Sequence, residues 1–363
     1  MPIHFRPGAK PPFRLSDFDF YLPEKLLARY PAQQREASRL MVISRERGIL
    51  AHSVFAEIGQ WLHPGDLMVM NNTRVIPARM NARKERMDGG ALIDVLLVAE
   101  APGPVPAWVM LLDPLKKLKP GHRLLFGDGS LVGHYSERLG ERECLVSFPE
   151  VGDAASLRSA LFALGSIPLP PYLKRKSEDM DRQRYQTVYA SASGALAAPT
   201  AGLHFTPALL EQLSAKGVQR AELTLHVGTG TFNPIHEEDL SLVRLHREWY
   251  EVPEATARAV NALDRSSNLL LSVGTTSLRT LESATDAQGI LRAGQDSTEL
   301  FIQPPYTFKS ANALLTNFHT PLSSLLMLVA AYMGYGLLRE SYAEAIKQEY
   351  RFYSYGDAML VLP

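Results

Sequence analysis

Three segments of the chain repeat one design, and that repetition narrows the fold more than any other feature. "LTLHVGTGTF" (223–232) is a strand-like run entering Gly228-Thr229-Gly230-Thr231. "LLLSVGTTSLRTL" (269–281) is a strand-like run entering Gly274-Thr275-Thr276 and then a helix. "ALLTNFHTPLSSLL" (313–326) is a strand-like run entering Asn317-Phe318-His319, again ahead of a helix. Strands alternating with helices argue for an α/β domain. In open α/β sheets, ligands bind beyond the carboxyl ends of the strands. Glycine there admits a ligand to the backbone, and free helix N–H groups hold polar or anionic groups. The plain alternative for Gly-Thr-Thr is a helix cap.

The rest of the chain agrees with this class. Residues 1–14 are rich in Pro and basic residues and read as a mobile arm. "RLMVISRERGILAHSVF" reads as two strands, and "FAEIGQWL" as a short amphipathic helix closed by Pro64-Gly65. From Asp66 to Phe148 the texture changes to closely spaced short strands, with Asp128-Gly129 as a hairpin signal. Such spacing suggests a small barrel or sandwich. The expected organisation is therefore an α/β main domain formed by 1–61 and 151–363, with a β-rich barrel domain inserted at 62–150. In "AAPTAGLHFTPALLEQL" (197–213), Thr206 and Pro207 stand where an N-cap and first helical residue belong.

Composition excludes several classes. The 363 residues carry 38 basic and 38 acidic side chains, so an RNA partner must be held by local patches rather than a global field. "RVIPARMNARKER", "PLKKLKPGHR" and "YLKRKSEDMDRQRY" are such patches, although a solvated surface explains a charge run equally well. The single cysteine, Cys144, leaves no internal disulfide and no cysteine-rich zinc site. No apolar signal core opens the chain. The longest apolar run, Leu325 to Met333, is too short to span a bilayer. A cytoplasmic protein without membrane contact is the expectation. None of the glycine segments is a G-x-G-x-x-G or Walker fingerprint, because Asn233 fills the third glycine position after Gly228 and Gly230. Of His204, His226, His246 and His319, no pair has the spacing of a helical metal site, so no metal is expected. Structural hydrogen bonding and acid–base work both remain open for these rings.

Eight ordered motifs, "SRLMVI", "PGDLMVMNNTRVIPAR", "PLPPYLKR…RYQTVYA", "AAPTAGLHFT", "LHVGTGTF", "VGTTSLRTLE", "TNFH" and "YRFYSYGDAML", cover about Phe18 to Leu360. Together they resemble the S-adenosylmethionine:tRNA ribosyltransferase-isomerases of queuosine biosynthesis. The resemblance implies transfer and isomerisation of the ribosyl group of S-adenosylmethionine. The acceptor would be 7-aminomethyl-7-deazaguanine at the tRNA wobble position, giving epoxyqueuosine with release of adenine and methionine. In the route the resemblance implies, the sulfonium would acidify the C5′ protons, a base would remove one, ring opening would expel adenine, the tRNA amine would attack, and epoxide closure would expel methionine. No resident cofactor is implied, since S-adenosylmethionine is consumed, and a monomer is expected.

On this resemblance His204, His226 and His319 are the acid–base candidates. Thr200, Gly202, Gly228, Thr229, Gly230, Thr275, Thr276, Arg279 and Asn317 are candidates for S-adenosylmethionine, with Thr275, Thr276 and Arg279 on its carboxylate. Asn72, Thr73, Arg74, Arg79, Lys174 and Arg175 are candidates for tRNA. The chain departs from the family pattern at Asn72 (usually Asp), Leu245 (Met), Pro305 (Gly), Thr320 (Leu) and Leu322 (Lys), and "LLDPLKKLKPG" replaces the usual Arg-Pro-Gly before the lysines. These departures keep two alternatives open: a related transferase with another acceptor, and a non-catalytic RNA-binding relative.

Overall fold

A computed structural model describes residues 10–85, 92–232, 235 and 237–363. The chain forms two compact units, one of 1–74, 171–175 and 186–363, the other of 75–170 and 176–185.

The larger unit is built on a nine-stranded sheet. Its strands are β1 (Arg39–Ser44), β2 (Gly48–Val54), β3 (Leu67–Asn71), β12 (Gln219–Leu225), β13 (Glu248–Val252), β14 (Leu270–Val273), β15 (Gly294–Thr298), β16 (Ala313–Asn317) and β17 (Ala358–Leu362). Their order is β15-β13-β12-β3-β14-β16-β17-β1-β2. The four central strands, β12, β3, β14 and β16, run parallel. Their carboxyl ends therefore share one edge. Both faces are covered, so the central strands read as continuous apolar runs rather than alternating ones. Met41, Leu67, Val69, Leu223 and Leu314 pack with helices α4 (Glu254–Ala262), α5 (Thr275–Ala284), α6 (Ser324–Met333) and α7 (Tyr335–Lys347). Leu40, Met68, Met70, Val273 and Leu315 face the other way, against Phe55, Ile58 and helix α3 (Pro207–Ala215). Helix α3 starts as its sequence indicates: the Thr206 hydroxyl accepts the Leu209 N–H at 3.2 Å, with Pro207 in the first turn.

The smaller unit is a closed barrel of β5 (Arg79–Lys84), β6 (Leu92–Ala101), β7 (Ala107–Asp113), β8 (Arg123–Phe126), β9 (Leu131–Arg138) and β10 (Glu143–Ser147), followed by α1 (Ala154–Leu164) and α2 (Asp181–Arg184). Asp128 and Gly129 lie in the turn between β8 and β9, with Gly129 at a φ of 95°. Cys144 is fully buried in the barrel, and burial pushes its thiol up to about 12. Two short strands, β4 (Thr73–Val75) and β11 (Ala192–Ala195), complete the count.

Three expectations are corrected. The barrel does not begin at residue 62, because β3 pairs with β12 and β14 inside the large sheet. The chain leaves that unit only after Arg74, and the barrel unit extends past 150 to 170, with 176–185 added. The amino-terminal arm is not free throughout: residues 1–9 lie outside the described residues, but Phe13 is buried and packs on Tyr335 at 4.8 Å between ring centres. Among the described residues no helix is long and apolar enough to cross a membrane, and no cluster of His, Cys, Asp or Glu is placed to hold a metal.

Candidate active site

The shared carboxyl edge of β12, β3, β14 and β16 is tied together by Asn71, the last residue of β3. Its Nδ2 donates to the Leu225 carbonyl at 3.0 Å and to the Thr276 hydroxyl at 3.2 Å, while its Oδ1 accepts the Leu225 N–H at 3.1 Å. One amide thus fixes the end of β12 and the start of α5. Gly274, ahead of that helix, has a φ of 92°, a conformation that a side chain disfavours.

Beyond this edge lies a cavity of about 470 Å³, within the range of small-molecule sites. Thr200 and Ala201 line it from the turn before α3, Thr275 and Thr276 from the start of α5, and Thr316, Asn317 and His319 from the end of β16. Thr320, Pro321 and Leu322 continue the wall, so two of the departures from the family pattern face this space. Leu322 and Tyr353, both lining it, hold left-handed backbones with φ of 57° and 77°. Such non-glycine conformations persist only where their surroundings enforce them. Tyr353 stacks on Tyr172 at 4.4 Å between ring centres, and the Tyr172 hydroxyl lies 2.5 Å from that of Ser354. Among the described residues no Asp, Glu, Lys or Arg lines the cavity.

The histidines separate. His319 lines the cavity, its Nε2 2.8 Å from the Thr316 hydroxyl, and burial drops its pKa to about 3. His204 does not line it. It stands behind Asn317, against the Phe55 ring at 4.9 Å, and is brought down to about 3 by burial, with Arg351 and Arg35 adding to the shift. His226 also lies elsewhere, 2.7 Å from the Thr73 hydroxyl and stacked on Trp249 at 5.1 Å, with its pKa lowered by burial.

Several candidates for S-adenosylmethionine are displaced from the expected contact. Gly202 serves packing: a Cβ there would come within 2.0 Å of the Tyr189 hydroxyl. Arg279 is only 5% exposed, pairs with Glu248 at 2.5 Å and donates from Nε to the Leu300 carbonyl at 3.2 Å. Its Nη2 is buried without a hydrogen-bond partner among the described residues, and the residue borders a smaller hole instead of the large cavity. Glu248, which the sequence reading missed, also accepts the Gly228 N–H at 3.0 Å. Gly228 and Thr229 do not line the large cavity, and Gly230 borders only a small neighbouring hole of about 20 Å³ beside His246 and Arg279.

The tRNA candidates are distributed and engaged. Asn72 holds Thr224 and Glu222, and Arg74 donates to the Ala190 carbonyl. Arg79 belongs to the barrel unit and forms a two-point pair with Asp94. Lys174 pairs with Glu24 at 3.0 Å. Arg175 lies over the Tyr30 ring at 4.3 Å and donates to the Arg29 carbonyl at 2.8 Å. Tyr172 and Tyr353 received no role from the sequence, although both sit in quoted motifs, "PLPPYLKR" and "YRFYSYGDAML".

The architecture is thus that of a two-unit α/β protein: a doubly covered sheet with a neutral, hydroxyl-lined cavity of small-molecule size at its strand ends, carried with a six-stranded barrel. The sequence profile of the family described as "Queuosine biosynthesis protein" matches residues 15–361, and the chain belongs to this family. It is 48% identical over 96% of its length to the whole of the S-adenosylmethionine:tRNA ribosyltransferase-isomerase of Syntrophotalea carbinolica. It is 47% identical, again over 96% of its length and 99% of the relative, to the protein of the same name from Geotalea uraniireducens. The crystal structure of the S-adenosylmethionine tRNA ribosyltransferase from Thermotoga maritima is similar over 95% of this chain and 99% of that one, at 37% identity and a TM-score of 0.52.

Proposed function

We infer that the protein is an S-adenosylmethionine:tRNA ribosyltransferase-isomerase. It transfers and isomerises the ribosyl group of S-adenosylmethionine onto 7-aminomethyl-7-deazaguanine at the tRNA wobble position, yielding epoxyqueuosine-tRNA, adenine and methionine. The observation that carries this beyond family membership is the cavity itself. Segments from six of the eight motifs converge on it, and its walls suit a nucleoside.

The chemistry assigns tasks to particular side chains. S-adenosylmethionine is a consumed co-substrate, and the reaction as written calls on neither a metal nor a resident cofactor. His319, Tyr172 and Tyr353 are the titratable groups that line the cavity. Of these, His319 is the candidate to take the C5′ proton that the sulfonium acidifies. Burial holds its ring neutral, so it does not repel the substrate cation. The same burial makes it a weaker base than free imidazole, so the transfer relies on the acidity that the sulfonium confers on C5′. Thr275 and Thr276, at the start of the ten-residue helix α5, are candidates for the methionine carboxylate. Lys174 and Arg175 are the leading tRNA contacts, because their segment also supplies Pro171 and Tyr172 to the cavity wall. The same reading makes the protein a cytoplasmic monomer.

The test is adenine release from S-adenosylmethionine, with tRNA carrying the deazaguanine precursor, with unmodified tRNA and without tRNA. Release confined to the precursor tRNA is expected, and release that ignores the acceptor would sink the reading. His319→Ala should lower release by about 100-fold or more while leaving substrate binding within a few-fold. A variant that turns over normally would remove His319 from the role.

A further inference from the structure

Asn317 ends β16, lines the cavity and is 2% exposed. Both hydrogens of its amide are used: Nδ2 lies 3.2 Å from His204 Nε2 and 3.2 Å from the Tyr353 carbonyl. The Tyr353 carbonyl can only accept, so the nitrogen end of the amide must face it. His204 Nε2 must then be the acceptor as well. The His204 proton accordingly sits on Nδ1, in keeping with the hydrogen bond to the Arg35 backbone that favours ring protonation. This chain of bonds fixes the opposite end of the amide. Asn317 Oδ1 is buried and has no hydrogen-bond partner among the described residues, the only side-chain atom of the cavity wall in that condition. Buried polar atoms of native proteins are rarely left so, which marks a place for a donor from a ligand.

The rest of the wall restricts what that donor can be. No carboxylate lines the cavity among the described residues, so an ammonium buried beside Asn317 would lack a counter-charge. A neutral, flat group with an N–H donor meets no such penalty, and the stacked pair of Tyr172 and Tyr353 offers it an aromatic wall. Adenine has this chemistry: an uncharged ring with an exocyclic amine.

We propose that Asn317 Oδ1 accepts the exocyclic amine of the adenine ring of S-adenosylmethionine, and that His204 is a positioning residue that holds the Asn317 amide in the accepting orientation. This rests on the function proposed above for the choice of substrate. It also moves His204 out of the acid–base role: the ring works through Asn317 and not on the reacting atoms.

The experiment measures equilibrium binding of S-adenosylmethionine and of its 6-oxo analogue, in which a carbonyl replaces the amine. Wild-type protein should favour the amine by at least tenfold, because two oxygens would otherwise face each other. Asn317→Leu should bring the two affinities within about twofold. His204→Ala should also erode the preference, since the Tyr353 carbonyl alone then holds the amide, and turning it to offer its nitrogen to the 6-oxo group costs one of these hydrogen bonds instead of two. His204→Gln should restore it by placing an amide oxygen where Nε2 accepted. Thermal unfolding of each variant reports folding separately, and a purely structural His204 would weaken both ligands equally and leave the ratio intact. An unchanged ratio in Asn317→Leu, or no preference in the wild type, overturns the proposal. Adenine release by the wild type with precursor tRNA is scored independently. Its absence alongside the binding preference would overturn the assigned reaction and leave the adenine contact supported.

Discussion

His204 and His319 each fold into a place that water hardly reaches, and each is brought to about 3 by that burial. An unfolded chain binds a proton on each ring below about pH 6.5, while the folded chain does not until about pH 3. The unfolded state therefore gains protons first as the pH falls, and stability declines across that interval. Each ring contributes a slope of about 1.4 kcal/mol per pH unit there and nothing above neutrality. Urea unfolding should give similar midpoints at pH 7 and 8 and a clearly lower one at pH 5, with His204→Gln flattening part of the fall. Equal midpoints at pH 7 and 5 would show that the rings are not held neutral. Gly202, two residues earlier, makes a second case at this scale. Its neighbours leave no room for a Cβ, so Gly202→Ala should destabilise by about 1–3 kcal/mol in the same assay without altering the 6-amino preference. A stable Gly202→Ala protein with weakened S-adenosylmethionine binding would return that glycine to the ligand role inferred from sequence.

Between elements, the Glu248–Arg279 pair joins β13 to α5, and Glu248 also holds the backbone of Gly228 after β12. Removing one partner strands the other charge in the interior, which costs more than the intact pair contributes. Arg279→Met should thus lower stability by about 3–5 kcal/mol, and Glu248→Leu added to it should recover part of the loss. Affinity for S-adenosylmethionine, measured on the folded fraction, should stay within about threefold. The reverse outcome, normal stability with a tenfold loss of affinity, would restore Arg279 to the methionine carboxylate. The difference between these readings shows where sequence stops. The three strand ends were legible because each combines an apolar run with glycine or a capping hydroxyl, a local signal. The position of β3 was not, because its run adjoins the barrel strands in sequence and its partners, β12 and β14, lie some 150–200 residues away. Strand β13 and the largely exposed edge strand β15 gave no continuous apolar run to read. Within the site, residue type was readable and side-chain direction was not: Arg279 turns to Glu248, and His204 to the back of Asn317.

For the whole molecule, 38 basic side chains balance 38 acidic ones, so little long-range attraction for a polyanion is expected. Affinity for tRNA must come from a few cations close to where the modified nucleotide reacts. Lys174 and Arg175 satisfy that condition through Tyr172, two residues before Lys174, which lines the cavity. Lys174 is exposed and pairs with the equally exposed Glu24, an ion pair that water screens and a phosphate can replace. Substituting both Lys174 and Arg175 by Ala should weaken precursor-tRNA binding. The slope of log affinity against log salt should become shallower by about 1.4–1.8, the loss of two phosphate contacts. Binding of S-adenosylmethionine should not change. Glu24→Gln should act oppositely, strengthening tRNA binding at low salt by releasing Lys174. Arg79, held by both oxygens of Asp94 in the barrel unit, supplies the contrast, and Arg79→Ala should alter the slope less than either substitution at 174 or 175. If the double substitution leaves the slope unchanged while Arg79→Ala reduces it, the phosphate contacts belong to the barrel and the cavity-wall segment is excluded as the tRNA contact.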